Sequence, residues 1–248
     1  MKEIRAVVLA AGKGTRLKTE GADVPKVMRM ACEKPIIWYV LKSLTFLDKR
    51  SIIIVVGYKK EDVIDGFGDY AFAVQSEQLG TGHAVMAAEC ELSGFVGSVL
   101  VCCGDMPLLK RETFLDLIRS HFDSGNDCTI LTGQSQRALS FGRILRDCAG
   151  EFLQIVEEKD CNEDQLEITE LNSGVYVFRA PMLFDALKRV DRKNSQGEYY
   201  LTDVPAIMRI SGAKVGLCRR NLGDEIIGVN TSEQLEQVEM ILRNRRDY

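Results

Sequence analysis

The sequence predicts an open α/β sheet, mixed but mostly parallel, and three observations predict it. Short β-branched runs alternate with helical segments through the first half of the chain. The run Ile52-Ile53-Ile54-Val55-Val56 is apolar at every position, and Ser98-Val99-Leu100-Val101-Cys102-Cys103 nearly so, as strands covered on both faces must be. The chain has 248 residues, 46% hydrophobic and 27% charged, which suffices for one large domain with a sizeable core.

Each element follows from its own residues. Ile4–Leu9 is a strand, and Pro35 starts a helix over Ile36–Phe46. Ser51–Val56 is a buried strand, Glu61–Gly66 a short helix, and Tyr70–Gln75 a further strand. An Ala-rich helix is predicted over Gly82–Glu91, then a strand over Ser98–Cys103. Arg111–Ser124 is an amphipathic helix with Phe114, Leu117, Ile118 and His121 on one face. Cys128–Thr132 is a strand. After about residue 138 the rhythm changes. Residues 142–146 and 152–156 flank the turn Asp147–Gly150, as in a hairpin. Ser173–Phe178 is a strand, Pro181–Arg189 a helix opened by its proline, Asp203–Ser211 a helix, and Lys214–Cys218 a strand. Thr231-Ser232-Glu233-Gln234 has capping-box form, and Leu235, Val238, Ile241 and Leu242 recur behind it at helical spacing. The chain therefore divides into a nucleotide-binding half, about 1–138, and a second half, about 139–248, on one continuous sheet.

Composition excludes several functions. The formal net charge of −4 provides no basic field for nucleic acid, so an anionic ligand needs local cations. No signal-peptide core follows Met1, and no apolar run approaches the ~20 residues that span a bilayer. The expectation is a soluble cytoplasmic protein with no membrane partner. The eight cysteines form no Cys-x-x-Cys pair, and several lie in apolar runs, which suits buried reduced thiols. With only His83 and His121, a zinc site is not expected.

Four motifs fall where predicted strands end, which is where open α/β sheets bind ligands. In the first, Ile4–Leu9 runs into Ala10-Ala11-Gly12-Lys13-Gly14-Thr15-Arg16, with Pro25-Lys26 beyond. Small residues leave backbone N–H groups bare for a phosphate, and Arg16 and Lys26 add charge. The spacing fits neither the dinucleotide fingerprint nor the P-loop, and an ordinary loop with surface charges is the rival reading. In the second, Gln75 and Gln78 offer donors and acceptors to a base edge, and Gly80 and Gly82 allow close approach. Thr81 reads also as a helix cap. In the third, Asp105 of Gly104-Asp105-Met106-Pro107 reads as a hard-metal ligand or as a turn residue. In the fourth, Asn230 reads as a helix-start residue or as a carbonyl ligand beside Asp105.

These motifs do not stand alone. Leu9-Ala10-Ala11-Gly12-Lys13-Gly14-Thr15-Arg16, Pro25-Lys26, Gln75-x-x-Gln78-Leu79-Gly80-Thr81-Gly82-His83-Ala84, Gly104-Asp105-x-Pro107-Leu108, Phe141-Gly142-Arg143-Ile144, Ile155-Val156-Glu157-x-Lys159-Asp160, Asn172-Ser173-Gly174, Gln196 through Asp203 and Gly228-Val229-Asn230 occur in order. Over essentially the whole chain this resembles the uridylyltransferase domain of the bacterial N-acetylglucosamine-1-phosphate uridylyltransferases. The resemblance implies the Rossmann-like fold of nucleotide-diphospho-sugar transferases. It implies transfer of UMP from UTP to N-acetylglucosamine 1-phosphate, giving UDP-N-acetylglucosamine and pyrophosphate. It implies Mg²⁺ on Asp105 and Asn230, Arg16 on the leaving pyrophosphate, and Lys26 on the α- or sugar phosphate. Leu9, Ala10, Ala11, Gly12, Gly14, Gln75, Gln78, Gly80, Thr81 and Gly104 are implied around the nucleotide.

Gly142, Glu157, Asn172, Tyr200 and Thr202 are implied around the sugar, which makes the second half sugar-binding. Gly142 would leave room for an acetamido group, with Phe141 as apolar cover. On residues alone Glu157 reads rather as a solvated carboxylate in a charged run, and Tyr199 and Tyr200 read as well as core. Two departures from the family's pattern stand out. The hexapeptide repeats of the acetyltransferase β-helix found in bifunctional members are absent here, so no acetyl transfer and a monomer or weak homodimer are expected. Cys103 stands where the family often has Tyr. The alternatives are another sugar 1-phosphate, or a catalytically silent nucleotide-sugar-binding regulatory protein. The presence of Arg16, Lys26, Asp105 and Asn230 together favours an enzyme.

Overall fold

The computed structural model describes residues 3–14, 17, 24–134 and 140–245. The first half contains β1 (Ile4–Leu9), a small antiparallel pair β2 (Met30–Ala31) and β3 (Lys34–Pro35), α1 (Ile36–Ser43), β4 (Ile52–Val56), α2 (Lys60–Gly66), β5 (Ala71–Val74), α3 (Thr81–Met86), β6 (Ser98–Cys103), α4 (Arg111–Ser124) and β7 (Cys128–Gln134). The second half contains β8 (Arg143–Arg146), β9 (Phe152–Val156), α5 (Glu163–Leu166), β10 (Glu170–Arg179), α6 (Ala180–Leu187), α7 (Val204–Ile210), β11 (Val215–Arg219) and α8 (Ser232–Asn244).

Nine strands form one mixed sheet in the order β11-β7-β10-β6-β1-β4-β5, with β8 on β10 and β9 on β8. β1 is parallel to β4 and β6, β4 to β5, and β7 to β11. β10 runs antiparallel between β6 and β7, so a strand of the second half completes the sheet of the first. Alternate residues explain why these strands are so apolar. Val7, Ile53, Val55, Val99 and Val101 enter the core on one face. Ala6, Val8, Ile52, Ile54, Val56, Leu100 and Cys102 enter the core on the other. Helices cover both faces, as an open parallel sheet requires. Among the described residues, no helix is long and apolar enough to cross a membrane.

Most elements begin and end where their residues dictate. α4 closes on Gly125 in the left-handed region (φ 61°). Thr231 caps α8 in a reciprocal box with Gln234. His121 is a core residue at 2% exposure, between Ser98 Oγ (3.2 Å) and Thr129 Oγ1 (3.0 Å). Several elements depart from the sequence reading, among them the unpredicted β2–β3 pair and α1, which ends at Ser43 rather than Phe46. The helix predicted to Glu91 ends at Met86 and continues as turns. α5 was not expected, because its capping box Asn162–Gln165 precedes no apolar run. β10 starts three residues early, at Glu170, because that buried carboxylate is paired with Arg146 and accepts from Thr132 Oγ1 (2.9 Å).

β10 is also bulged. Asn172 pairs with Thr132 and Tyr176 with Ile130, so β10 uses four steps where β7 uses two. Gly174 takes φ 77° at this point. Ser173 Oγ donates to Leu131 O (2.7 Å) and accepts from Val175 N (3.3 Å), while Asn172 Oδ1 accepts from Gly174 N (3.2 Å). Side chains thus satisfy groups that the interrupted ladder leaves open.

The segment before α8 is anchored by Glu225, whose Oε2 accepts from Lys110 N (2.9 Å) and Thr113 Oγ1 (2.6 Å) at the start of α4. Glu225→Ala leaves both donors unmatched and should cost about 1–3 kcal/mol. In a chain of this size that is a fall in Tm of roughly 2–4 °C per kcal/mol. An unchanged thermal midpoint would show that this clamp contributes nothing.

Candidate active site

The loops after β1 and β6 leave the sheet on either side of a topological switch point, since β1 continues toward β4 on one side and β6 on the other. The β1 loop is held to its neighbour by Ala10 N on Val55 O (2.8 Å) and Tyr58 N on Ala11 O (3.3 Å). Gly14 has φ 66°, and a Cβ there would lie 2.6 Å from Lys26 Cβ, so the glycine lets Lys26 close onto the loop. Gly12 faces open space. Arg16 lies outside the described residues.

The Gln75–Thr81 loop is shaped from within and from the second half. Gln75 is 3% exposed, with Nε2 donating to Gly80 O (3.1 Å) and 3.1 Å from His83 Nδ1. Its amide nitrogen therefore shapes the loop, where the sequence pointed to a base edge. Gln78 is exposed beside Gly57 and Ala11 and keeps its amide at the surface. Gly80 has φ 111°, and a Cβ there would come within 2.6 Å of Tyr199 O. Thr81 does not cap α3: Gly80 holds that position, and Thr81 Oγ1 accepts from Leu201 N (3.1 Å). Gly82 N on Tyr199 O (2.8 Å) and Tyr199 N on Leu79 O (2.8 Å) complete the join.

Asp105 follows β6, where Gly104 N donates to Leu9 O (2.9 Å). The Lys26 ammonium forms an ion pair with Asp105 Oδ2 and donates to Asn230 Oδ1 (3.0 Å). Both charged side chains are about five-sixths buried, at 15% and 16% exposure. Asn230 precedes the α8 cap and presents its carbonyl oxygen to the cation. Two hard oxygen donors thus converge on one positive charge. Among the described residues, no group of three or more His, Cys, Asp or Glu side chains could hold a metal.

From this cluster a cleft of about 580 Å³ extends under the second half. Leu9, Thr81, Asp105, Gly142, Glu157, Asn172, Thr202 and Asn230 all lie on its wall. Glu157 is not a solvated carboxylate: burial raises its pKa, and Oε1 accepts from Thr202 Oγ1 (3.0 Å). Tyr200 is a core residue whose hydroxyl accepts from Gln196 Nε2 (2.9 Å) and is not on the cleft wall. Gly142 stands on the cleft wall, and a Cβ there would lie 2.8 Å from Ile155 Cγ2, so the glycine also makes room for the neighbouring strand. Phe141 does line the cleft, and the buried Arg143 guanidinium donates to its carbonyl and to Leu166 O (3.4 Å). Cys103 lines the cleft as a thiol that burial pushes up to about 12.

A model of the Nucleotidyl transferase family matches residues 5–244. The chain belongs to this family. Within it, the chain is 43% identical over 241 residues to the bifunctional protein GlmU of Streptococcus agalactiae, covering 97% of this chain and 52% of that protein. It is 41% identical over 248 residues to the bifunctional protein GlmU of Pelobacter propionicus, covering 99% of this chain and 53% of that protein. The chain therefore spans about half the length of the curated relatives it matches. In fold it is similar to a crystallised Bacillus anthracis protein assigned as a glucose-1-phosphate thymidylyltransferase, with a TM-score of 0.76 and 17% identity over 99% of this chain and 98% of that one. The family fold and the observed mixed sheet agree, and every nucleotide- or sugar-side residue discussed above lies inside the matched span.

Next to Thr202, burial pushes Asp203 up to about 6 from an ordinary 3.8, and the charges of Asp191 and Asp160 reinforce it. The folded chain therefore binds this proton more tightly than the unfolded chain. That contribution is complete below the unfolded value and is lost as pH rises through about 6. Asp203→Asn removes the titration, so its Tm relative to the parent should rise steadily between pH 4 and pH 7. A pH-independent difference in Tm would contradict the burial account.

Proposed function

We propose that this chain is a sugar-1-phosphate nucleotidyltransferase that transfers UMP from UTP to N-acetylglucosamine 1-phosphate, releasing pyrophosphate. One arrangement supports the reading above all. A cation-and-oxygen cluster of Lys26, Asp105 and Asn230 stands at the strand ends, and a cleft leads from it to Glu157, Asn172 and Thr202. Such a cleft suits a ligand with phosphates at one end and hydroxyls at the other.

In this reading an oxygen of the sugar phosphate attacks the α-phosphorus in line, and the bond to the bridging oxygen of pyrophosphate breaks. The nucleophile is already an anion at neutral pH, so the chain need supply no general base. Its residues act by position and charge. Lys26 neutralises phosphoryl oxygens, held in place by Gly14 behind it. Bare N–H groups around Gly12 and Gly14 face the phosphates. Gln78 and the loop behind it meet the base. Glu157 accepts from sugar hydroxyls through the oxygen that Thr202 leaves open. The donor set also fits Mg²⁺, which favours one or two protein oxygens plus substrate phosphates. Asp105 and Asn230 would hold it, and when bound it supplies charge neutralisation to the phosphoryl oxygens.

The test is pyrophosphate release with Mg²⁺, a panel of nucleotides and a panel of sugar 1-phosphates. UTP with N-acetylglucosamine 1-phosphate should give the highest kcat/KM, at least about tenfold above CTP, since an edge read by hydrogen bonds rejects a mismatched base. Asp105→Asn should lower turnover by a factor on the order of a hundred or more, because a lost charge at the phosphates is worth several kcal/mol in the transition state. Equal use of UTP and CTP would remove the base assignment, and near-parental turnover of Asp105→Asn would remove the phosphate site.

A further inference from the structure

Tyr176 was absent from the sequence-based site, yet its ring is 1% exposed and forms part of the cleft wall. The β10 bulge brings it there, four residues beyond Asn172. The phenol oxygen accepts from Asn172 Nδ2 at 2.7 Å. The sense of that bond is fixed, because Asn172 Oδ1 is already the acceptor for Gly174 N (3.2 Å), which turns the amide nitrogen toward the phenol. A phenol that accepts one bond still has a proton to give. Among the described residues no side chain or carbonyl takes it. Burial, then the nearby charge of Glu157, holds the group well above its ordinary value, so it stays a neutral donor. A buried donor facing a cleft with no protein acceptor is a place for a ligand oxygen.

We propose that Tyr176 is a specificity-determining contact for the sugar: its O–H donates to an acceptor oxygen on the sugar of the bound sugar phosphate, while Asn172 sets the phenol's orientation. This rests on the reading of the cleft as the sugar-phosphate site. The contact complements Glu157. Tyr176 gives a proton and Glu157 takes one, so a sugar oxygen with both a lone pair and a hydrogen can satisfy the two together. Cys103, on the same wall, does not replace the phenol, because a protonated thiol is a weak donor.

Tyr176→Phe tests this, because it deletes only the oxygen and keeps the ring that lies 5.3 Å, centroid to centroid, from Phe178. The readouts are KM for the sugar 1-phosphate, KM for UTP, and Tm. Loss of one neutral hydrogen bond should raise the sugar KM by about three- to tenfold. KM for UTP should stay at the parental value, while Tm falls modestly because the buried Asn172 Nδ2–H loses its acceptor. Calorimetric titration with UDP-N-acetylglucosamine and with UTP should show the same split without turnover. An unchanged sugar KM overturns the assignment while leaving the proposed activity intact. Parallel losses in sugar affinity and UTP affinity would mark Tyr176 as structural and overturn it as well. If the parent protein uses no sugar 1-phosphate, the proposed activity falls and takes this assignment with it.

Discussion

Lys26 lies 79 residues from Asp105 and 204 from Asn230 in the chain, yet its ammonium is bonded to both. Taking two charges largely out of water is unfavourable unless each is compensated, and removing one partner strands the other. The cluster therefore needs three independent segments to arrive with little error. Gly14 gives Lys26 its position, the end of β6 gives Asp105, and the start of α8 gives Asn230. Val229 N on Asp105 O (2.9 Å) joins the last two directly. The parallel sheet is what makes this possible, because β1 and β6 end side by side at the same edge.

The other half of the cleft depends on an antiparallel strand. β10 enters between β6 and β7, and its bulge aims Asn172 and Tyr176 at the cavity that the parallel strands open. Bulges near binding sites commonly re-aim side chains in this way. Here Ser173 and Asn172 supply compensating hydrogen bonds themselves, so the N–H groups of Gly174 and Val175 are both satisfied. The joins between Gly82 and Tyr199 and between Thr81 and Leu201 then tie the Gln75–Thr81 loop to the second half.

What the sequence made legible follows a physical rule. β4 and β6 were readable because burial on both faces demands unbroken apolar runs, and α8 because its capping box precedes apolar residues at helical spacing. Asp105 and Asn230 were readable as site candidates because the one follows β6 and the other precedes α8. The start of β10 was hidden, since Glu170 and Asn172 look like loop residues until Arg146 and Tyr176 are seen to pair with them. Gly142 illustrates the converse. A Cβ there would meet Ile155 on the neighbouring strand, a contact that no local pattern could reveal. Tyr176 carried no signal beyond its apolar neighbours, because strand alternation alone assigns it to the core.

A reaction that needs no protein base places unusual weight on geometry. In the proposed function, the buried titratable groups of the cleft have no proton to carry. Glu157 is held by Thr202, Cys103 is fixed as a thiol, and Tyr176 is fixed as a phenol. Each is a neutral donor or a fixed acceptor whose direction is set by a neighbour, which is what positional catalysis asks of its residues. The Lys26–Asp105 ion pair stands at the end of the cleft where, in that reading, phosphates would lie. In the proposed function, separation of the ion pair from the hydrogen-bonding groups along the cleft would orient a sugar phosphate before any bond is made.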